Sequence, residues 1–307
     1  MTSAILVSIV MTLVAASTPI LLAALGELVV EKSGVLNLGV EGMMLTGAVA
    51  GFAVAYSTGS TGAGLVAALV AGVATAMVFA VLTLSLTANQ VATGLALTIF
   101  GIGASSLIGA GFVGRTITRL GPVLPEALAG HPILRAAFGH DIVVYLSLAL
   151  VLAVSFFLNR TRPGLILRAV GENDASAHAI GYPVIAIRYG AIAFGGALAG
   201  LAGAYFSLAL TPMWADSLTA GRGWIALALV VFAAWKPARL LLGAYLFGAV
   251  MTAELQFKAA GVTMLPPEML AMAPYLATIA VLTMMSLGPK SGRANAPACL
   301  GKPFSAS

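Results

Sequence analysis

Apolar runs of membrane-spanning length recur along this chain, and they restrict its fold more than any other feature. A helix needs about 20 mostly apolar residues to cross hydrocarbon. Candidate runs lie near 4–25, 39–57, 62–86, 91–112, 141–158, 189–211, 223–235, 240–257 and 269–287. Hydrophobic residues make up 60% of the 307 and charged residues only 8%; soluble domains hold roughly 45–50% apolar residues. Inside a bilayer every backbone polar group must find its partner within the protein, which favours helices. The expected fold is an all-α polytopic membrane protein of about nine transmembrane helices, eight to ten depending on how edges are drawn. The seventh run is short and opens on Gly221-Arg222-Gly223, the mark of a broken or re-entrant segment. The first run lacks a basic leader and reads as a membrane helix rather than a cleaved signal.

Loop charge orients the chain. An odd number of spans puts the termini on opposite sides. One set of loops holds Lys32, Arg160, Arg162, Arg168, Arg188, Lys236, Arg239, Lys290, Arg293 and Lys302. The other holds Arg115, Arg119, Arg135, Arg222 and Lys258. The excess of basic residues in the first set assigns it to the cytoplasm. The N-terminus is then outside, the C-terminus cytoplasmic, the 159–188 loop cytoplasmic and the 113–140 loop external. Residues 289–307 read as a flexible cytoplasmic tail. The pI of about 9.6 follows from these loop cations, so no nucleic-acid partner is expected.

One stretch breaks the apolar pattern: Glu27 to Gly47, ELVVEKSGVLNLGVEGMMLTG. A carboxylate at bilayer depth is costly unless it is paired or faces water. Glycines let backbones approach closely or unwind beside a cavity. Span one leads into Gly39-Val40-Glu41-Gly42, and span six leads into Gly221-Arg222-Gly223-Trp224, from opposite sides. Such interrupted segments in two oppositely oriented halves mark an inverted repeat with a path between them. The halves run roughly 1–158 and 189–288. The candidate pathway residues are Asn37, Gly39, Glu41, Gly42, Asn89, Gly221 and Gly223, with Gln90, Glu254 and Gln256 as further polar intrusions. Blander readings compete: Glu41 paired with Lys32 at the interface, Asn89 and Gln90 as solvated loop amides, and the glycines as helix-packing contacts. Trp214, Trp224 and Trp235 read as interfacial anchors. Met43 and Met44 read as packing.

The longest cytoplasmic loop is Leu158 to Gly190, LNRTRPGLILRAVGENDASAHAIGYPVIAIRYG. Pro163-Gly164 is a turn signal. Asn173 can cap a short helix, Asp174 suits its first turn, and Gly181 followed by Tyr182-Pro183 stops it. Isolated helices shorter than ~12–15 residues are marginal in water. This one must dock, either on the protein's own helix ends or on a soluble partner.

Ala169-Val170-Gly171-Glu172-Asn173, with Gly181 downstream, resembles the coupling-loop signature of ABC-importer permeases of the ribose and branched-chain amino acid superfamily. The run from Gly221 to Pro237, GRGWIALALVVFAAWKP, followed by Gly243 and Leu246-Phe247-Gly248, is similar to that family's second-half motif. Sugar permeases carry an Asp-Leu-Ser-Val-Gly type motif in the first half. Here Asn37-Leu38-Gly39-Val40-Glu41-Gly42-Met43-Met44, after Glu31-Lys32-Ser33-Gly34, resembles the nucleoside branch served by a basic-membrane-protein type lipoprotein. The resemblance covers the chain to about Leu287 and departs from the family at Asp174, usually Pro, and Ser176, usually Ala.

The resemblance implies a permease domain over 1–288 in a bacterial cytoplasmic (inner) membrane. It implies a second permease (self or paralogue), an ABC ATPase subunit and an extracytoplasmic solute-binding lipoprotein as partners. Ala169, Gly171, Glu172, Asn173, Asp174, Ala177 and Gly181 would couple to the ATPase. The implied cargo is a small polar solute, foremost a purine-type nucleoside, with simple sugars and branched-chain amino acids as alternatives. An ion-coupled secondary transporter is the rival outside this class, with only Glu41 and Glu254 as buried ionisable candidates. The chain has no G-x-x-x-x-G-K-[ST] loop, no zinc-spaced His/Cys set and no nucleophile elbow, so ATP would be used by the partner and no cofactor is expected here. The single Cys299 excludes a disulfide framework within the chain.

Overall fold

A computed structural model describes residues 2–123, 132–259 and 296–304, with a few isolated positions between 272 and 283. Its helices are α1 (Thr2–Lys32), α2 (Val40–Thr58), α3 (Thr61–Ala80, prolonged by a π turn over Val81–Ser85), α4 (Gln90–Gly109), α5 (Pro132–Phe138), α6 (Ile142–Arg160), α7 (Arg162–Glu172), α8 (Asp174–Ala179), α9 (Val184–Tyr205, prolonged by a π turn over Phe206–Leu210), α10 (Arg222–Phe232) and α11 (Pro237–Ala259). Among the described residues, extended pairing is limited to isolated bridges. The chain is an all-α polytopic membrane protein.

Seven helices among the described residues are long and apolar enough to cross a membrane. They match the first six expected runs and the eighth. The short apolar helix Arg222–Phe232 matches the seventh. The ninth expected run, 269–287, falls outside the described residues apart from isolated positions.

Small residues set the packing. A Cβ at Gly72 of α3 would strike the carbonyl oxygen of Gly196 in α9, and one at Gly203 would strike that of Met44 in α2. Gly200 of α9 meets both Gly47 and Gly72 backbone to backbone. Such stripes let helices touch in lipid, where dispersion rather than water exclusion drives association. Met43 and Met44 are fully buried in the core, as packing residues should be.

The loops gather at two ends. At one end the turn after α1, the start of α4, α7 and α8 and the segment 296–304 contact one another: Leu36 N–H donates to Gln90 Oε1 at 2.8 Å, and Cys299 N–H to the Gly171 carbonyl at 2.9 Å. At the other, Val113 bridges Trp214, Thr116 bridges Met213 and Pro122 bridges Asp141. This is the same partition of loops that charge counting makes.

Four readings change. α1 runs on through Glu27 and Glu31 to Lys32, so the real interruption is only residues 33–39. Pro163-Gly164 opens α7 rather than a turn: Thr161 caps the helix by accepting from Gly164 N–H at 3.2 Å, and proline is tolerated in a first turn where its missing N–H has no partner to lose. Trp214 and Trp235 are buried, packed inside rather than anchored at an interface; only Trp224 is exposed. Residues 296–304, expected within a loose tail, have a defined seat on the turn after α1 and on α7.

Gly72→Val should destabilise the protein by about 1–3 kcal/mol, the usual cost of overpacking. Gly103→Ala, whose added Cβ would meet nothing within 4 Å, should be neutral or mildly stabilising. Thermal unfolding of the detergent-purified variants checks both.

Candidate functional site

The first broken segment starts where α1 stops. Gly34 adopts φ +92°, and a Cβ there would sit 2.8 Å from Arg188 Nη2, so glycine meets both the turn and the close approach. The chain then runs non-helically through buried surroundings, where every N–H and C=O must be satisfied. Side chains do this. Asn37 N–H donates to Glu27 Oε1 at 3.1 Å, and the Asn37 side-chain oxygen accepts Gly39 N–H at 2.9 Å, starting α2. Thr98 of α4 donates to the Leu38 carbonyl at 3.0 Å.

Glu41, in the first turn of α2, reaches the second break. Its carboxylate accepts Gly221 N–H at 2.8 Å and Gly223 N–H at 2.6 Å, and the Thr219 hydroxyl donates to it as well. These are the free N–H groups at the N-terminus of α10, the end of a helix that favours negative charge. A Cβ on Gly223 would lie 2.6 Å from a Glu41 carboxylate oxygen, so the absence of a side chain permits the contact. Glu41 is 5% exposed. Its partner is the α10 terminus rather than Lys32, and its oxygens are occupied rather than offered to a solute.

Strain collects around α10. Ser217, Ala220, Ala234 and Trp235 all have positive φ; among the described non-glycine residues only Thr87 shares this. Such backbone costs on the order of 1–3 kcal/mol per residue and persists only where the surroundings enforce it. Glu41 enforces it at one end. At the other, the Trp235 indole donates to Glu31 Oε2.

Glu41, Gly221 and Gly223 therefore meet where the two broken segments cross. Asn37 holds the turn of the first segment through Glu27 and Gly39, and Gly39 and Gly42 pack against Leu97 and Thr98 of α4. Asn89 does not join them: it is exposed, and its side chain accepts Ala92 N–H at 2.9 Å as the cap of α4. Glu27 and Glu31 flank the crossing, Glu27 holding Asn37 and Glu31 holding Trp235 beyond the far end of α10, and neither was singled out in the sequence. Their signal was the four-residue spacing, which puts both on one helical face.

A cavity of about 1110 Å³ lies at the opposite end, lined by Arg119, Arg135, His140, Arg222, Thr252 and Glu254, with Ser8 and Thr12 of α1. Arg222 directly follows Gly221, so the α10 N-terminus reaches the cavity wall. Burial pushes the His140 imidazole below its usual range, against the pull of Asp141, which favours its neutral form near pH 7. Of these residues only Glu254 stood out in sequence; the arginines read as ordinary loop cations. Gln256 is exposed on α11.

The α7–α8 corner is built as its sequence implies. Asn173 Oδ1 accepts Ser176 N–H at 2.9 Å and caps α8, and Gly181 at φ +94° ends the turn that follows. Asp174 Oδ2 pairs with Arg188 Nη2 at 2.9 Å. Arg188 is wholly buried, and its Nε donates to the Ser33 carbonyl at 3.1 Å. The corner is thus tied to the turn after α1, through the residue that departs from the usual proline. Gly171 packs on the Lys32 carbonyl, and Ala177 packs with Val170 and Val184. Ala169, Glu172, Asn173 and Gly181 are exposed, as are Ala175, Ser176, His178, Ala179 and Ile180 around them.

These features define a multi-pass helical transport protein with two interrupted segments that meet inside it. Residues 9–285 match the family of permease components of branched-chain amino acid transport systems, and the chain belongs to that family. It is 42% identical to a protein of Haloferax volcanii named for glucose ABC transporter permease activity, over 94% of each chain. It is 31% identical to the guanosine ABC transporter permease protein of Bacillus subtilis, over 94% of this chain and 93% of the other. It is 29% identical to the nucleoside ABC transporter permease protein of Lactococcus lactis subsp. cremoris, over 91% and 93%. The chain is an ABC transporter permease, a transport subunit, as the three separated motifs implied.

Glu41→Ala should lower stability by about 1–3 kcal/mol per stranded buried donor, and Glu41→Gln by less because an acceptor remains. Asp174→Ala should cost about 3–5 kcal/mol by leaving the buried Arg188 charge unpaired. Denaturation midpoints of the purified variants measure both; a Glu41→Ala protein as stable as wild type would show that the carboxylate does not hold α10.

Proposed function

We propose that this permease imports a purine-type nucleoside across a bacterial cytoplasmic membrane, driven by ATP hydrolysis on a partner ABC ATPase. The observation that carries the reading is the α8 corner. It is exposed on one face and anchored on the other to the turn that leads into the Glu41 crossing. The ATPase would receive α8, with Ala169, Gly171, Glu172, Asn173, Asp174, Ala177 and Gly181 forming or shaping the contact. Closure of the ATPase on ATP would move α8 and, through Arg188–Ser33 and Gly171–Lys32, the segment 33–39. Glu41 would pass that movement to α10, whose strained ends suit it to shift between two positions.

In this reading Asn37, Gly39, Glu41, Gly42, Gly221 and Gly223 shape the passage rather than bind the solute. The cavity at Arg222 opens toward the outside, where a solute-binding lipoprotein would dock on the 113–140 and 212–222 loops. The N-terminus is outside and the C-terminus cytoplasmic. A second permease, a copy or a paralogue, completes the complex, and this chain binds no cofactor of its own.

The wording Asn37-Leu38-Gly39-Val40-Glu41-Gly42 and the two relatives named for guanosine and nucleosides support a nucleoside. The relative named for glucose has the higher identity and supports a sugar as the second reading. Uptake of labelled guanosine and labelled glucose by membrane vesicles, with and without this permease, separates them. Guanosine uptake lost with the permease is expected; loss of glucose uptake alone would reject the nucleoside.

The coupling role is tested at exposed positions, because bulk at Gly171 would strike the Lys32 carbonyl. Glu172→Lys with Ile180→Asp should cut uptake per ATP about tenfold, equivalent to about 1.4 kcal/mol of docking energy, with normal protein levels. Unchanged coupling would sink the assignment. A Ser176→Cys reporter in a Cys299→Ser background should label only from the cytoplasmic side.

A further inference from the structure

Residues 296–304 are not accounted for by the coupling corner or the crossing, yet they touch the supports of both. Cys299 N–H donates to the Gly171 carbonyl at 2.9 Å, and Gly301 N–H donates to the Gly34 carbonyl at 3.1 Å. The Cys299 thiol lies 3.5 Å from the Glu172 carbonyl. Gln90 Nε2 donates to the Lys302 carbonyl at 3.4 Å. The Phe304 ring meets His178 edge-on at 5.6 Å and lies under the Arg188 guanidinium at 5.8 Å. One short segment thus joins α7, α8, the turn after α1 and the start of α4.

We propose that residues 296–304 are a clamp that makes the α7–α8 corner and the 33–36 turn move as one body. The proposal rests on the reading of α8 as the ATPase contact. The geometry favours a clamp over a cover. With the segment seated, Asn173, Ala175, Ser176, His178, Ala179 and Ile180 all remain exposed; an inhibitory cover would bury them. Its bonds to Gly171 and Gly34 are backbone to backbone, which fixes separation better than long side chains do. They also span the two strands of chain whose relative motion would waste the push of the ATPase. Gly34 adds a steric reason: a Cβ there would sit 3.4 Å from the Cys299 Cβ and 3.4 Å from the Gly171 Cα, so three segments converge on one residue without a side chain.

The test uses the assembled transporter purified from native membranes through a tag on the N-terminus. Two variants are compared with wild type: removal of residues 296–307, and Phe304→Ala, which keeps the backbone bonds and guards against a misfolded truncation. The solute is whichever of labelled guanosine or glucose the wild-type vesicles accumulate. The expected result is that the ATPase still co-purifies and hydrolyses ATP, while solute moved per ATP falls by about tenfold on truncation, within the about 5–150-fold range of ordinary coupling energies, and less for Phe304→Ala. Uptake per ATP unchanged in both variants would overturn the clamp. Loss of the ATPase from the truncated protein would also overturn it, by making the segment a partner seat. Cys299, the single cysteine, gives a readout independent of transport: a seated clamp keeps it protected from N-ethylmaleimide with and without ATP, and ATP-dependent labelling would mark a releasable cover. An ATPase that never binds the wild-type permease would instead defeat the coupling reading beneath the proposal.

Discussion

A carboxylate capping a helix inside an apolar core is the interaction on which the rest of this structure depends. Glu41 accepts from Gly221, Gly223 and Thr219 and so joins α2 to the start of α10. Without water, the free N–H groups of a buried helix terminus must find an acceptor in the protein. A charged acceptor matches both the unpaired donors and the positive end of the helix dipole. The carboxylate, costly alone, is tolerable because the break in α10 supplies its donors, and the break is tolerable because the carboxylate fills it.

A line of contacts runs from this crossing to one end of the molecule. Glu27 holds Asn37, Asn37 starts α2, and Glu31 holds Trp235 at the far end of α10. Ser33 accepts from Arg188, and Arg188 pairs with Asp174 at the start of α8. Under the proposed mechanism this line is the transmission: a displacement of α8 arrives at α10 through bonded neighbours rather than through a deformable core. Positive φ at both ends of α10 fits a segment held away from its relaxed backbone and able to settle in more than one place.

Much of the fold was legible because lipid leaves a protein few choices. Apolar length gave the spans, and Asn173, Gly181 and the Gly221 break gave local geometry through capping and φ preferences that depend on single residues. The crossing was legible as a set of anomalies, Asn37, Glu41, Gly221 and Gly223, but not as a contact, because partners 180 residues apart leave no periodic trace. The same limit hid Glu31–Trp235 and made Trp235 look like an interfacial anchor. Asn89 misled because an amide at a helix start has the same composition whether it lines a path or caps α4. The seat of 296–304 was invisible because its bonds to Gly171 and Gly34 use backbone atoms, and nearly any sequence supplies those.

The central claim is that α8 and α10 move together through the turn at residues 33–39 and Glu41. Pulsed electron paramagnetic resonance between spin labels at the exposed Ser176 and Val231, in the assembled transporter lacking Cys299, tests it most directly. The account predicts one narrow distance distribution, unchanged when ATP binds and broadened by Glu41→Ala. A wild-type distance that shifts with ATP would contradict it, because α8 would then move independently of α10.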